Sequence, residues 1–199
     1  MSEHYFSENP KSKLKTKLLN ANIRGENISL LLASGTFSSQ RIDNGSRILA
    51  EYMNIKENDS VLDLGCGTGI IGLIAARLTK NEVVLTDINT RAVEITKQNA
   101  LGFENIMVLQ GDLYKPVKGK KFDVILINLP QLAGREICSK MIIQAKDYLN
   151  LGGSLQIVER HNRGGKYFES LMKDTFGNME VLAKKGGFWV CKSVFSLSG

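Results

Sequence analysis

The stretch Asp63-Leu-Gly65-Cys-Gly67-Thr-Gly69-Ile-Ile-Gly72 places an acid just before a run of glycines, with the apolar residues 61–64 leading into it. Glycine has no side chain to hold a ligand off and readily adopts positive φ. A helix that starts behind such a turn points free N–H groups at polar or anionic ligand atoms. The stretch therefore reads as strand, tight loop and helix, and it predicts a site for a nucleotide-like cofactor. Gly67, Gly69 and Gly72 also satisfy the G-x-G-x-x-G fingerprint of dinucleotide sites, with Asp87 about 20 residues further on at the end of the next strand. A carboxylate there accepts two hydrogen bonds from a vicinal diol, and charge-assisted bonds of this kind are the stronger ones. NAD is one cofactor that the pattern allows.

Such residues need a frame that brings several strand ends to one edge. From Ser60 onward, strands are predicted over 61–64, 83–87, 107–111, 122–128 and 154–158, separated by helices over 69–78, 91–101, 136–149 and 166–175. This alternation describes an α/β domain with a mainly parallel sheet. Two more strand-like runs, 180–184 and 189–195, are joined by Lys185-Gly186-Gly187 and predict a terminal hairpin that adds an antiparallel strand. The first part differs in texture. Lys11, Lys13, Lys15 and Lys17 alternate with smaller or apolar residues, a turn is expected at Arg24-Gly25-Glu26-Asn27, and the apolar run 28–33 follows. A β-hairpin and a short helix over 46–52 therefore form an extension, residues 1–54, packed on a core domain of residues 55–199.

With Asp63 inside the first core strand and the glycines beginning at Gly65, the acid-x-Gly-x-Gly-x-Gly form resembles the first motif of the class I methyltransferases. Members of that class have a Rossmann-like seven-stranded sheet, mostly parallel, with a terminal antiparallel hairpin strand. The resemblance implies S-adenosylmethionine as the cofactor. It places Gly65, Gly67 and Gly69 against the methionine portion and adenosine, Asp87 at the ribose hydroxyls and Asp112 at the adenine, with Cys66, Ile88 and Leu113 beside them as further cofactor contacts. Asp63 either joins them or accepts hydrogen bonds from loop amides. Asn89 or Thr90 can cap the next helix without Asp87.

Asn128-Leu129-Pro130-Gln131 stands where amino-directed members of the class carry Asn-Pro-Pro and a further, often aromatic, residue. An exocyclic amine on a base, or a glutamine amide, has its nitrogen lone pair delocalised and is a poor nucleophile until it is oriented. An asparagine side-chain oxygen and a neighbouring backbone carbonyl accept both N–H groups and aim the nitrogen, which is catalysis by positioning and electrostatics. The resemblance assigns these roles to Asn128, Leu129 and Pro130, with Asn128 also close to the cofactor. Leu129 departs from the expected proline and costs the loop stiffness, though its carbonyl remains. Gln131 cannot stack on a base; Tyr5, Phe6, Phe37 and Trp189 are the candidates to take over.

His4-Tyr-Phe-Ser7, Ser34-Gly-Thr-Phe-Ser38, Ile42-Asp-Asn-Gly45, the segment from Asn128 to Gly134, and Gly186-Gly-Phe-Trp189 together look like the methyltransferase small domain group. Members of that group methylate guanine N2 in small-subunit ribosomal RNA, and relatives with the full Asn-Pro-Pro-Tyr motif methylate a glutamine of release factors. The likeness puts Phe37, Ser38, Gly45 and Ser46 over the cofactor's carboxylate end. It implies an S-adenosylmethionine-dependent methyltransferase acting on guanine N2 of ribosomal RNA. Protein-glutamine methylation and non-catalytic RNA binding are the alternatives.

The 199 residues carry 26 Lys and Arg against 20 Asp and Glu, a formal charge of +6 that favours an anionic partner such as RNA. Lys11 to Lys17, Lys118, Lys120, Lys121, Arg135, Arg160, Arg163 and Lys166 are candidates for a phosphate-facing rim, while His161 reads as a loop histidine. The three cysteines, Cys66, Cys138 and Cys191, form no Cys-x-x-Cys pair, so neither a zinc site nor a disulfide framework is expected from them. No apolar stretch approaches the roughly 20 residues that span a bilayer, and the chain start lacks the order of a secretion signal. A cytoplasmic protein with no membrane partner is expected.

Overall fold

A computed structural model describes residue 8, residues 13–37 and residues 40–197. Tyr5, Phe6, Lys11 and Ser38 lie outside the described residues.

The core is a seven-stranded sheet ordered β5-β4-β3-β6-β7-β9-β8. Its strands are β3 (Val61–Leu64), β4 (Val83–Asp87), β5 (Ile106–Gln110), β6 (Phe122–Asn128), β7 (Leu149–Arg160), β8 (Glu180–Lys185) and β9 (Phe188–Val194). The first five pair in parallel, and β9 lies antiparallel between β7 and β8. The helices are α1 (Asn44–Tyr52), α2 (Ile70–Leu78), α3 (Thr90–Asn99), α4 (Arg135–Gln144) and α5 (Gly165–Phe176). The chain leaves β3 outward to β4 and β5, then returns to β6 on the other side. The carboxyl ends of β3 and β6 therefore flank the switch point where open α/β sheets bind ligands.

Strand residues alternate between two apolar clusters. Val61, Leu85, Val124 and Leu126 pack with α1 and α2, while Leu62, Val84, Ile125 and Ile127 pack with α4 and α5. Burial on both faces explains why these strands read as unbroken apolar runs. At Gly72 a Cβ would stand 2.5 Å from Leu85 Cγ, so its absence lets α2 press directly onto β4.

Ahead of the core, β1 (Thr16–Ile23) and β2 (Glu26–Ala33) form the expected antiparallel hairpin. Its turn is shorter than the expected 24–27. Only Arg24 and Gly25 lie outside the strands, with φ of +55° and +80°. Positive φ at both central residues gives the twist that suits a two-residue hairpin. Arg24 is held there by long-range bonds: its amide donates to Glu51 Oε2 at 2.9 Å and its guanidinium to the Glu51 carbonyl at 2.6 Å. Ile23, Ile28, Leu30 and Leu32 share one apolar cluster with α1 and α2. On the outer edge of β2, the Leu31 amide donates to Asn99 Oδ1 at 2.7 Å, and Asn99 Nδ2 donates back to the Leu31 carbonyl at 3.0 Å.

Helix α4 stops at Gln144 and tightens into a 3₁₀ turn, Ala145–Tyr148, instead of continuing to 149. Tyr148 stacks on Tyr114 at 4.5 Å, and β7 begins at Leu149 opposite Phe122, ahead of the expected 154. Among the described residues no helix is long and apolar enough to cross a membrane.

Candidate active site

The glycine loop follows β3 and is fastened to β4, where the amides of Gly65 and Cys66 both donate to the Thr86 carbonyl, at 2.8 and 2.9 Å. Gly65, Gly67 and Gly69 have φ of +76°, +59° and +87°, a conformation that glycine adopts without strain. Helix α3 supports the loop from below. Thr96 Oγ1 donates to the Gly67 carbonyl at 2.9 Å, and Asn99 Nδ2 donates to the Thr68 carbonyl at 2.9 Å. The same Asn99 binds β2, so the hairpin and the loop share one anchor.

Above the loop a cavity opens at the carboxyl edge of the sheet. Of the residues expected to meet a cofactor, Phe37, Gly65, Cys66, Asp87, Ile88, Asp112, Leu113 and Asn128 line it, as does Pro130. Asp63, Gly67, Gly69 and Leu129 do not form its wall. Asp63 is fully buried behind the loop, where its Oδ2 accepts from the Gly72 amide at 2.8 Å and its Oδ1 has no partner. Burial lifts its carboxyl from 3.8 to about 7, with the Gly72 amide opposing the rise and the nearby Asp87 charge adding to it. The Cys66 thiol is pushed well above its usual value, chiefly by burial and then by Asp87 and Asp63.

Asp87 ends β4 with its carboxylate spread between two backbone amides. Oδ2 accepts from Gly67 at 2.8 Å and Oδ1 from Asn89 at 2.9 Å. Burial raises its pKa, while the amides of Asn89, Gly67 and Ile88 pull it back. Each carboxylate oxygen keeps acceptor capacity beyond these bonds. Asn89 caps α3 by accepting from the Ala92 amide at 3.1 Å, so the helix does not need Asp87 for that purpose. At the end of the neighbouring strand β5, where the Gly111 amide donates to the Asp87 carbonyl at 3.0 Å, Asp112 is bridged to Lys115 at 2.8 Å and Leu113 holds φ of +48° beside it. Leu64, Ala92 and Met141 complete an apolar wall. Polar acceptors at one end and apolar walls around an open glycine turn fit a nucleoside with a hydroxyl pair.

Asn128 ends β6 on the same wall, and its amide is fixed from α1. Nδ2 donates to Asp43 Oδ2 and to Ser46 Oγ, both at 2.9 Å. Spending both N–H groups this way leaves Oδ1 as an open acceptor at the cavity. Asp43 also caps α1 by accepting from the Ser46 amide at 3.0 Å. A Cβ at Gly45 would sit 2.9 Å from Asp43 Oδ2 and 3.0 Å from Asn128 Oδ1, so only glycine lets α1 approach this closely. Sequence reasoning assigned no role to Asp43; its signal was the helix cap it forms ahead of 46–52. The Leu129 side chain is buried beneath β6, and its carbonyl accepts from the Gln131 amide at 2.9 Å across Pro130. That inverse γ-turn, with Pro130 at φ −77° and ψ 71°, stiffens the loop where the proline at 129 is missing. The carbonyl keeps a second lone pair.

The proposed stacking and basic residues separate. Trp189 has both ring faces covered, by the His161 ring at 3.8 Å and by Lys184 Nζ at 3.7 Å, which leaves no face for a base. Lys120 and Lys121 directly precede β6 and so stand at the sheet edge opposite the cavity, with Lys120 paired to Glu82 at 2.6 Å. Arg135, Arg160 and Lys166 are exposed near the carboxyl ends of β6 and β7. The Arg135 guanidinium lies 4.7 Å over the exposed Tyr167 ring, an aromatic that sequence reasoning passed over.

The profile of a family described as methyltransferase small domain matches residues 27–192. The uncharacterised protein YbxB of Bacillus subtilis is 32% identical over 198 residues, covering 97% of this chain and 98% of its own. Ribosomal RNA small subunit methyltransferase C of Haemophilus influenzae is 35% identical over 174 residues, covering 83% of this chain and 51% of its own. This chain thus spans about half the length of that relative. Among solved structures, the T. thermophilus 16S rRNA N2 methyltransferase RsmC, in complex with AdoMet and guanosine, superposes with a TM-score of 0.81 at 23% identity. That superposition covers 94% of this chain and 52% of the other.

Proposed function

The chain belongs to the methyltransferase small domain family, and from that premise we propose that it moves a methyl group from S-adenosylmethionine to guanine N2 of small-subunit ribosomal RNA. When bound, the cofactor supplies an electrophilic methyl on a sulfonium. Gly65 and Cys66 would lie against its methionine part, Asp87 would accept from the ribose hydroxyls, and Ile88 and Leu113 would sandwich the adenine with Asp112 at its edge. Phe37 and Ser46 line the same cavity.

The single observation that carries the reading is the pinned amide of Asn128. With its donors engaged, the side chain presents only an acceptor, which suits a substrate N–H and rejects a substrate lone pair. The Leu129 carbonyl, next along the chain from Asn128 but outside the residues that line the cavity, would supply the second acceptor through the lone pair that the Gln131 amide leaves free. Held by both, an amine nitrogen is aimed along the methyl-transfer line, and its surplus proton leaves to water afterwards, so no base is required. Asp63 supports the loop from behind rather than from the cavity wall. Arg135 and Tyr167 offer a phosphate contact and a stacking face to an unstacked RNA segment.

Methylation of a glutamine amide uses the same two acceptors, and substrate identity separates the readings. Labelled methyl is followed from S-adenosylmethionine into RNA and protein of cells lacking the gene. Label recovered as N2-methylguanosine supports the proposal. Label only in protein replaces it with the glutamine reading, and label in neither replaces it with cofactor-fold RNA binding without turnover.

A further inference from the structure

Outside the cavity, the end of β7 carries a buried acid that none of the reaction chemistry uses. Glu159 is 2% exposed, and neither of its carboxylate oxygens accepts a hydrogen bond. Its Oε1 faces His161 Nδ1 at 3.8 Å, and the same nitrogen lies 2.9 Å from Glu169 Oε1, on the second turn of α5. One donor atom from each residue falls within 4.8 Å of the other two. A buried carboxylate that accepts no hydrogen bond is costly, and a second carboxylate beside it adds to that cost.

Two further features shape the space. A Cβ at Gly165 would collide with the Glu159 carboxylate, so the start of α5 leaves room for that group. The His161 ring is clamped flat on Trp189, 7° from parallel, with Nδ1 turned to the two acids. A ligand ring fixed by packing is what a preorganised metal site needs.

We propose that Glu159, His161 and Glu169 bind one divalent transition ion of the zinc or manganese class. One imidazole and two carboxylates suit such ions better than calcium or magnesium, which take oxygen donors. The ion balances both carboxylate charges and ties the end of β7, which carries Arg160 at the carboxyl edge of the sheet, to α5 across the connecting segment 161–164. Water completes its coordination. The site is structural and independent of the methyl-transfer reading.

Trp189 is the chain's single tryptophan, so it reports on this site alone. Untagged full-length protein is stripped with a chelator and titrated with zinc chloride or manganese chloride, following tryptophan emission and heat. Expected is uptake of one equivalent of either ion, a saturable change in emission and a raised melting temperature. His161→Gln and Glu169→Gln, both at partly exposed positions, should keep their circular dichroism and weaken binding at least about tenfold for each lost ligand. Absence of saturable binding of both ions overturns the proposal, as does binding equally tight in both variants.

Discussion

Asp63→Asn should change how stability depends on pH, and the structure sets the direction and ceiling. Folded Asp63 holds its proton up to about pH 7, whereas the unfolded chain releases it near 3.8. Between those values the folded state binds more protons, so this residue makes the protein progressively less stable as pH rises, and the loss is complete above about pH 7. At about 1.4 kcal/mol per pH unit, the span from 3.8 to about 7 sets a ceiling of about 4 kcal/mol. Relaxation around the loop reduces it. Asparagine keeps an acceptor for the Gly72 amide and never ionises, so it removes the dependence. Urea unfolding of both proteins without cofactor, from pH 4 to 8.5, gives the difference in stability. The variant should gain on wild type as pH rises to about 7 and then hold a constant margin. A difference that does not vary with pH would show that Asp63 is ionised throughout and refute the reasoning.

Further outcomes follow from neighbouring contacts. Asp87→Asn removes the charge facing the predicted diol and should weaken S-adenosylmethionine binding about 10- to 100-fold by calorimetry, in line with about 1.5–3 kcal/mol for a charge-assisted bond. Gly72→Ala forces a Cβ to 2.5 Å from Leu85 Cγ. It should cost about 1–3 kcal/mol, seen as a melting temperature several degrees lower. Asp43→Ala strips the α1 cap, worth about 1 kcal/mol, and frees the Asn128 amide to rotate, so methyl transfer should fall more than stability does. Asp43→Asn keeps an oxygen for both donors and should restore most of the rate.

The glycine turn was legible because backbone conformation dictates residue type there: few residues other than glycine tolerate positive φ at 65, 67 and 69. The alternation of apolar runs likewise exposed the parallel strands, since burial on both faces leaves a continuous signature. Asp43 was not legible as a partner of Asn128, because the two stand 85 positions apart and meet only once the chain between them has folded. Trp189 looked like a base-stacking ring, and only tertiary packing put His161 and Lys184 over its faces. The tight turn at Arg24 was hidden for a related reason. Arginine has no preference for that conformation, and its stability comes from the distant Glu51. Helix α4 and the 3₁₀ turn after it share an apolar periodicity, so the boundary at Gln144 carried no mark of its own.

The central claim is that Asn128 orients the amine. Its direct test is single-turnover methyl transfer to ribosomal RNA from cells lacking the gene, with cofactor affinity measured alongside, for wild type and Asn128→Ala. The account predicts that formation of N2-methylguanosine slows by about 100- to 1000-fold while cofactor affinity changes far less. A rate that survives the substitution, or a loss fully reproduced by weaker cofactor binding, would contradict it.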